Sequence, residues 1–149
     1  MYLLLIIMSC LCFVVGCNTS KKSAKTSKEF EQYMKEKEFE VIDATNQFEE
    51  GALESCSIAM NKEYQVEFYV CNNVKDAKDS FTANKDAIGK KSNVKVKEVE
   101  VSINDYSHYT VFLNNTYYHL TQIDNTLVYA VTEKKYTESV KEVLEGIGY

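Results

Sequence analysis

Downstream of residue 27 the apolar positions of this chain switch between two spacings, and the switches mark out its elements. Phe30, Tyr33 and Met34 recur at helical spacing behind Thr26 and Glu29, which fit a capping box, so a helix is predicted over 28–37. Residues 39–42 read as a short strand, and 44–53 (ATNQFEEGAL) as a loop with one helical turn at most. Residues 55–60 and 64–70 alternate with period two and form a hairpin around Asn61-Lys62-Glu63. Asn72 or Asn73 caps a second helix whose stripe is Val74, Ala77, Phe81 and Ile88, with Gly89 ending it. Residues 93–103 then alternate again, and a shift of parity between Val96 and Val99 predicts a bulge. Asn104-Asp105, Asn114-Asn115 and Asp124-Asn125 punctuate three further strands over 106–113, 116–123 and 126–132. A last helix over 135–147 places Tyr136, Val140, Val143, Leu144 and Ile147 on one stripe, with Gly148 beyond its end.

The predicted order is α-β-β-β-α-β-β-β-β-α. It describes an α+β domain, an antiparallel sheet of about six to seven strands with three helices on one face. Hairpin followed by helix occurs twice, and an offset of 62 aligns Ile58 with Leu120, Val66 with Val128, and Phe81 with Val143. An old duplication explains this, and so does the shared packing need of two ββα units.

The chain ahead of the domain has a different character. Residues 2–16 carry no charge, and a run of about 15 apolar residues is shorter than the ~20 a spanning helix needs. It fits the apolar core of a signal peptide. The run ends in Val14-Val15-Gly16-Cys17, which resembles the lipobox of bacterial lipoprotein precursors. That resemblance implies that Cys17 receives a diacylglyceryl group and becomes the new N-terminus after cleavage behind Gly16. The basic residue usual near the start of such a signal is missing from Met1-Tyr2, which leaves the α-amino group to supply the charge or places the true start upstream. The expected organisation is therefore a signal peptide over 1–16, a flexible tether over 17–26 and a single domain over 27–149. Two acyl chains hold a protein at a membrane stably where one does so only marginally. The expected location is the extracytoplasmic face of the cell membrane.

Composition narrows the choice of partners. All 17 basic and 22 acidic residues follow Cys17, giving a net charge of −5, which argues against nucleic acid. Every basic residue is Lys; Arg, Pro and Trp are absent. The lack of Arg removes the usual bidentate grip on phosphate or carboxylate ligands, and the abundance of Lys, Asn, Ile and Tyr is the usage of an A+T-rich genome. Of the five cysteines, Cys10 and Cys12 lie in the signal and Cys17 is the lipid site, which leaves Cys56 and Cys71. An even pair in an exported protein is a disulfide candidate. If the face of Cys56, Ile58 and Met60 coincides with that of Val66, Phe68 and Val70, however, Cys71 points away. A disulfide and two separate thiols both remain open.

Catalytic chemistry is hard to find. His108 and His119, the only histidines, sit on predicted strands outside any metal-binding spacing. His108, Asp105 and Ser107 are neighbours around one turn, where strand alternation separates their side chains. Glu98 and Glu100 share a strand face next to Lys95 and Lys97 and read as solvated. No catalytic residue, cofactor site or metal site is predicted. The tyrosines are the one unusual feature. Tyr64, Tyr69, Tyr106, Tyr109, Tyr117, Tyr118 and Tyr129 are candidates for a binding face, or simply good strand formers in a half-buried sheet.

Together VVGC, EFEVIDATNQF (38–48), YQVEFYV (64–70) and IDNTLVYA (123–130) resemble the small uncharacterised lipoproteins of clostridial-type Gram-positive bacteria. The resemblance implies location and domain extent and supplies no catalytic residues. The expected function is a membrane-anchored, non-enzymatic module that binds a small ligand or an envelope protein. The alternative is an envelope hydrolase or accessory enzyme whose site the sequence does not reveal.

Overall fold

The computed structural model describes residues 22–91 and 98–149. Helix α1 (Ser27–Glu36) starts at the expected capping box: the Thr26 hydroxyl accepts from the Glu29 N–H at 3.2 Å, and Glu29 accepts from the Thr26 N–H at 2.8 Å. Lys37 is its C-cap, and just beyond it Glu38 adopts φ 64 while the Phe39 N–H donates back to the Met34 carbonyl. Strand β1 (Glu40–Asp43), a short 3₁₀ turn (Thr45–Gln47), β2 (Ser55–Met60) and β3 (Gln65–Val70) follow. Helix α2 (Val74–Gly89) is capped by the Asn73 side chain, which accepts from the Asp76 N–H at 2.9 Å. Then come β4 (Glu98–Ile103), β5 (Tyr106–Leu113), β6 (Thr116–Ile123), β7 (Thr126–Glu133) and α3 (Thr137–Ile147). The expected bulge, and the part of the expected strand that precedes Glu98, lie outside the described residues.

All three Asn/Asp turns form as expected. Asn104, Asn114 and Asp124, the first residue of each, take positive φ of 54, 56 and 49, a region that Asn and Asp enter more readily than other residues bearing a Cβ. The strands assemble into one antiparallel sheet in the order β1-β2-β3-β7-β6-β5-β4. Its middle is the long-range pair β3–β7, where Phe68 faces Val128 and Val66 faces Ala130.

The placement of the helices corrects the expectation of a one-sided domain. Helices α1 and α3 pack on one face, where Phe30, Met34, Val140, Leu144 and Ile147 meet Val66, Phe68, Val128 and Ala130. Phe68 is fully buried there, stacked on Phe30 at 4.7 Å between ring centroids and met edge-on by Tyr149 at 5.9 Å. Helix α2 packs on the opposite face, where Phe81 and Ile88 join Tyr109, Val111, Leu113, Tyr118, Leu120 and Leu127. The physical reason is that the strands near the middle are apolar on both sides. On β6, Tyr117 and Ile123 enter one cluster while Tyr118 and Leu120 enter the other. A sheet buried on both faces must be covered on both. The internal likeness at offset 62 holds for the hairpins, where Val66 and Val128 share a face, and stops at the helices, which go to opposite sides.

The hairpin register also corrects the cysteine argument. Ala59, not Ile58, pairs with Val66, so Cys56 lies on the face of Glu67 and Tyr69, opposite Val66 and Phe68. Cys56 and Cys71 are nevertheless free thiols, both buried. Burial pushes the Cys56 thiol up to about 11 and raises that of Cys71 as well.

Candidate functional site

Because α1 and α3 lean over the β1–β3 side and β7, the same face stays buried at β6, is half-buried along most of β5 and is exposed at β4. What that face carries follows from strand alternation. From β5 it presents Tyr106, His108, Thr110 and Phe112, and from β6 Tyr117, His119, Thr121 and Ile123. The register sets His108 opposite Thr121 and His119 opposite Thr110, so the two histidines are diagonal neighbours. Their ring centroids lie 4.9 Å apart, edge to face.

Thr121 ties the imidazoles together. Its hydroxyl lies 2.9 Å from His108 Nδ1 and 2.8 Å from His119 Nε2, and His119 Nδ1 is 3.3 Å from the Tyr117 hydroxyl. A hydroxyl has one proton to give. One imidazole therefore accepts from Thr121 while the other donates to it, and the chain Tyr117–His119–Thr121–His108 is directed one way or the other with both rings neutral. Burial, reinforced by His108, Lys22 and Lys141, pushes His119 down to about 3. Burial and Lys22 also lower His108. Burial pushes the Tyr117 hydroxyl up to about 12, with Glu138 and Glu145 adding to it. This is a strip of polar atoms satisfied among themselves and uncharged at neutral pH.

Beside the strip the surface is apolar. Strand β4 turns Glu98, Glu100 and Ser102 toward the α2 side, where they meet the Tyr109 hydroxyl at 3.0 Å, Lys85 Nζ at 2.7 Å and the Ser107 hydroxyl at 3.0 Å. The two glutamates, read from sequence as a solvated pair, are exposed as expected and also bonded to these partners. Val99, Val101 and Ile103 point to the uncovered side and stay 49%, 39% and 62% exposed, joined by Phe112 at 38%. An alternating strand normally turns its apolar side to a core; here that side meets solvent.

The other sequence candidates do not converge. Ser107 bonds to Ser102 on the α2 face and Asp105 pairs with Lys78 at 2.9 Å, while His108 faces the other way, so the three form no catalytic unit. The tyrosines divide between the faces: Tyr64, Tyr106 and Tyr117 with α1 and α3, and Tyr69, Tyr109, Tyr118 and Tyr129 with α2. An open trough of about 640 Å³ beside the 45–53 loop gathers Asp43, Glu49 and Glu50 with Phe48 and Leu53, and no imidazole lines it. Among the described residues there is no group of three or more His, Cys, Asp or Glu placed to hold a metal, and no helix long and apolar enough to cross a membrane. Cys17, the expected lipid site, lies outside the described residues.

Sequence reasoning missed the histidine pair, although its signal was present. A two-residue turn at Asn114-Asn115 pairs Leu113 with Thr116 and, stepping outward, Thr110 with His119 and His108 with Thr121. That puts both rings on one face. Comparison of the chain with protein-family models, with curated proteins and with solved structures gave no match.

Proposed function

We propose that this chain is a lipid-anchored, extracytoplasmic, non-enzymatic module that acts through the exposed face of β4 and β5. The observation that carries the reading is the exposed row Val99, Val101 and Ile103 with Phe112, set beside an imidazole pair whose hydrogen bonds close on themselves. Exposed apolar surface of this kind marks contact with a partner or ligand. The anchor rests on the VVGC sequence ending at Cys17. Two experiments test the proposal. Cys17→Ser is expected to release the protein or leave its precursor uncleaved; unchanged processing and membrane retention would remove the anchor. A photo-crosslinker at position 103, on living cells, is expected to capture an envelope component that the same probe at Ile42, on the opposite face of β1, does not; equal labelling would remove the face.

The imidazole pair itself favours a second reading, an envelope hydrolase or accessory enzyme in which half-buried His108, backed by Thr121 and His119, serves as a base. That reading requires turnover of a cell-wall or peptide substrate by the purified protein, abolished by His108→Gln. The lowered affinity of both rings for protons weighs against it.

A further inference from the structure

Taking the lipid anchor as given, we propose that the occupant of the apolar face of β4 and β5 is the bilayer that holds the Cys17 acyl chains. The first argument is reach. The described chain begins at Lys22, whose ammonium lies 5.3 Å from the centroid of the Tyr106 ring. Tyr106 pairs directly with Ile103, the most exposed of the apolar row. Only four residues lie between Cys17 and Lys22, and the five chain steps that join them span at most ~18 Å when fully extended. An anchor at Cys17 therefore keeps this end of the sheet, and not the β1 end, next to the membrane.

The second argument is charge. The protein carries a net charge of −5, yet no side chain at 99, 101, 103, 106, 108, 110 or 112 is acidic. The glutamates of β4 are turned to the other face and engaged by Tyr109 and Lys85. The titratable groups around His108 are Lys22, His119 and the Tyr106 ring that lies parallel to its own, so the face approaches the membrane neutral, with an ammonium at its rim. A neutral apolar surface with a flanking lysine is the composition that settles at the boundary of headgroups and acyl chains. A protein partner would suit the apolar row equally well, but it would have to enter the narrow gap that the tether leaves.

The test uses the full chain, expressed in a bacterium, extracted in detergent and reconstituted into phosphatidylcholine–phosphatidylglycerol vesicles with or without bromine on the acyl chains. The native chain has no tryptophan, so a single introduced indole reports alone. Ile103→Trp and Val99→Trp are both at exposed positions, and Ile42→Trp on the opposite face of β1 is the reference. The expected result is that bromine quenches the emission of the 103 and 99 variants, whose indoles would lie at the acyl boundary, and leaves the 42 variant unchanged. If all three variants float with the vesicles and none is quenched, the anchor stands and the bilayer contact is wrong. If the protein does not float with vesicles at all, the anchor reading fails and this inference falls with it.

Discussion

The buried imidazole of His119 makes stability depend on pH in a way that can be worked out in advance. Folded, the ring is pushed down to about 3 by burial first, then by His108, Lys22 and Lys141; unfolded, it returns to the ordinary value near 6.5. Below 6.5 the unfolded chain gains a proton that the folded chain refuses, so stability present at pH 8 is lost as pH falls, and the loss levels off only near the folded value. At ~1.4 kcal/mol per unit, the His119 contribution at pH 5 is a loss of ~2 kcal/mol, growing to ~4–5 kcal/mol below pH 3. His108, also lowered, adds to the slope in the same range. The lowered carboxyls of Glu29 and Asp43 belong to a lower window, since their ordinary values are 4.5 and 3.8. Urea unfolding followed by circular dichroism at pH 8 and pH 5 measures the change. His119→Gln keeps a hydrogen-bonding side chain beside Thr121 and cannot take the proton. Its stability is expected to fall ~2 kcal/mol less than the native chain's between the two pH values, a difference of about 1 M in midpoint at the usual urea slopes. With only two histidines, imidazole NMR reads the same quantity directly. Parallel slopes in the two proteins, or a folded-state His119 titrating near 6.5, would refute the reasoning.

Other perturbations probe the rest of the scaffold. Phe68→Ala removes the ring held between Phe30 and Tyr149 at the centre of the sheet; thermal melting should register a loss of about 3–5 kcal/mol, and a loss under 1 kcal/mol would contradict the packing. Glu38→Gly should stabilise by about 1 kcal/mol, because Glu38 holds φ 64 at the end of α1, a conformation only glycine adopts without strain; a lower melting temperature would count against that geometry. Cys56 and Cys71 are buried with raised thiols, so iodoacetamide at pH 7.5 should leave both peptides unlabelled in the native protein and label both in urea. Labelling in urea only after reduction would mean a disulfide instead.

The elements were legible in the sequence because each has a local cause. Thr26 and Glu29 announce α1, Asn73 announces α2, and the three Asn/Asp turns fix the meander from β4 to β7. Even the His108–His119 pair was implicit, since the turn at Asn114-Asn115 determines which residues of β5 and β6 share a face. Tertiary structure alone decided what lies above each face. A period of two says that Val99, Val101 and Ile103 point together; it does not say whether a helix waits there. That depended on the β3–β7 pairing, which no local signal specifies. It also depended on α2 and α3 crossing to opposite sides of a sheet whose middle strands are apolar on both. Two helices on one side and one on the other cannot cover both faces of seven strands, and what they leave bare includes the face of β4 with the neighbouring Phe112 of β5.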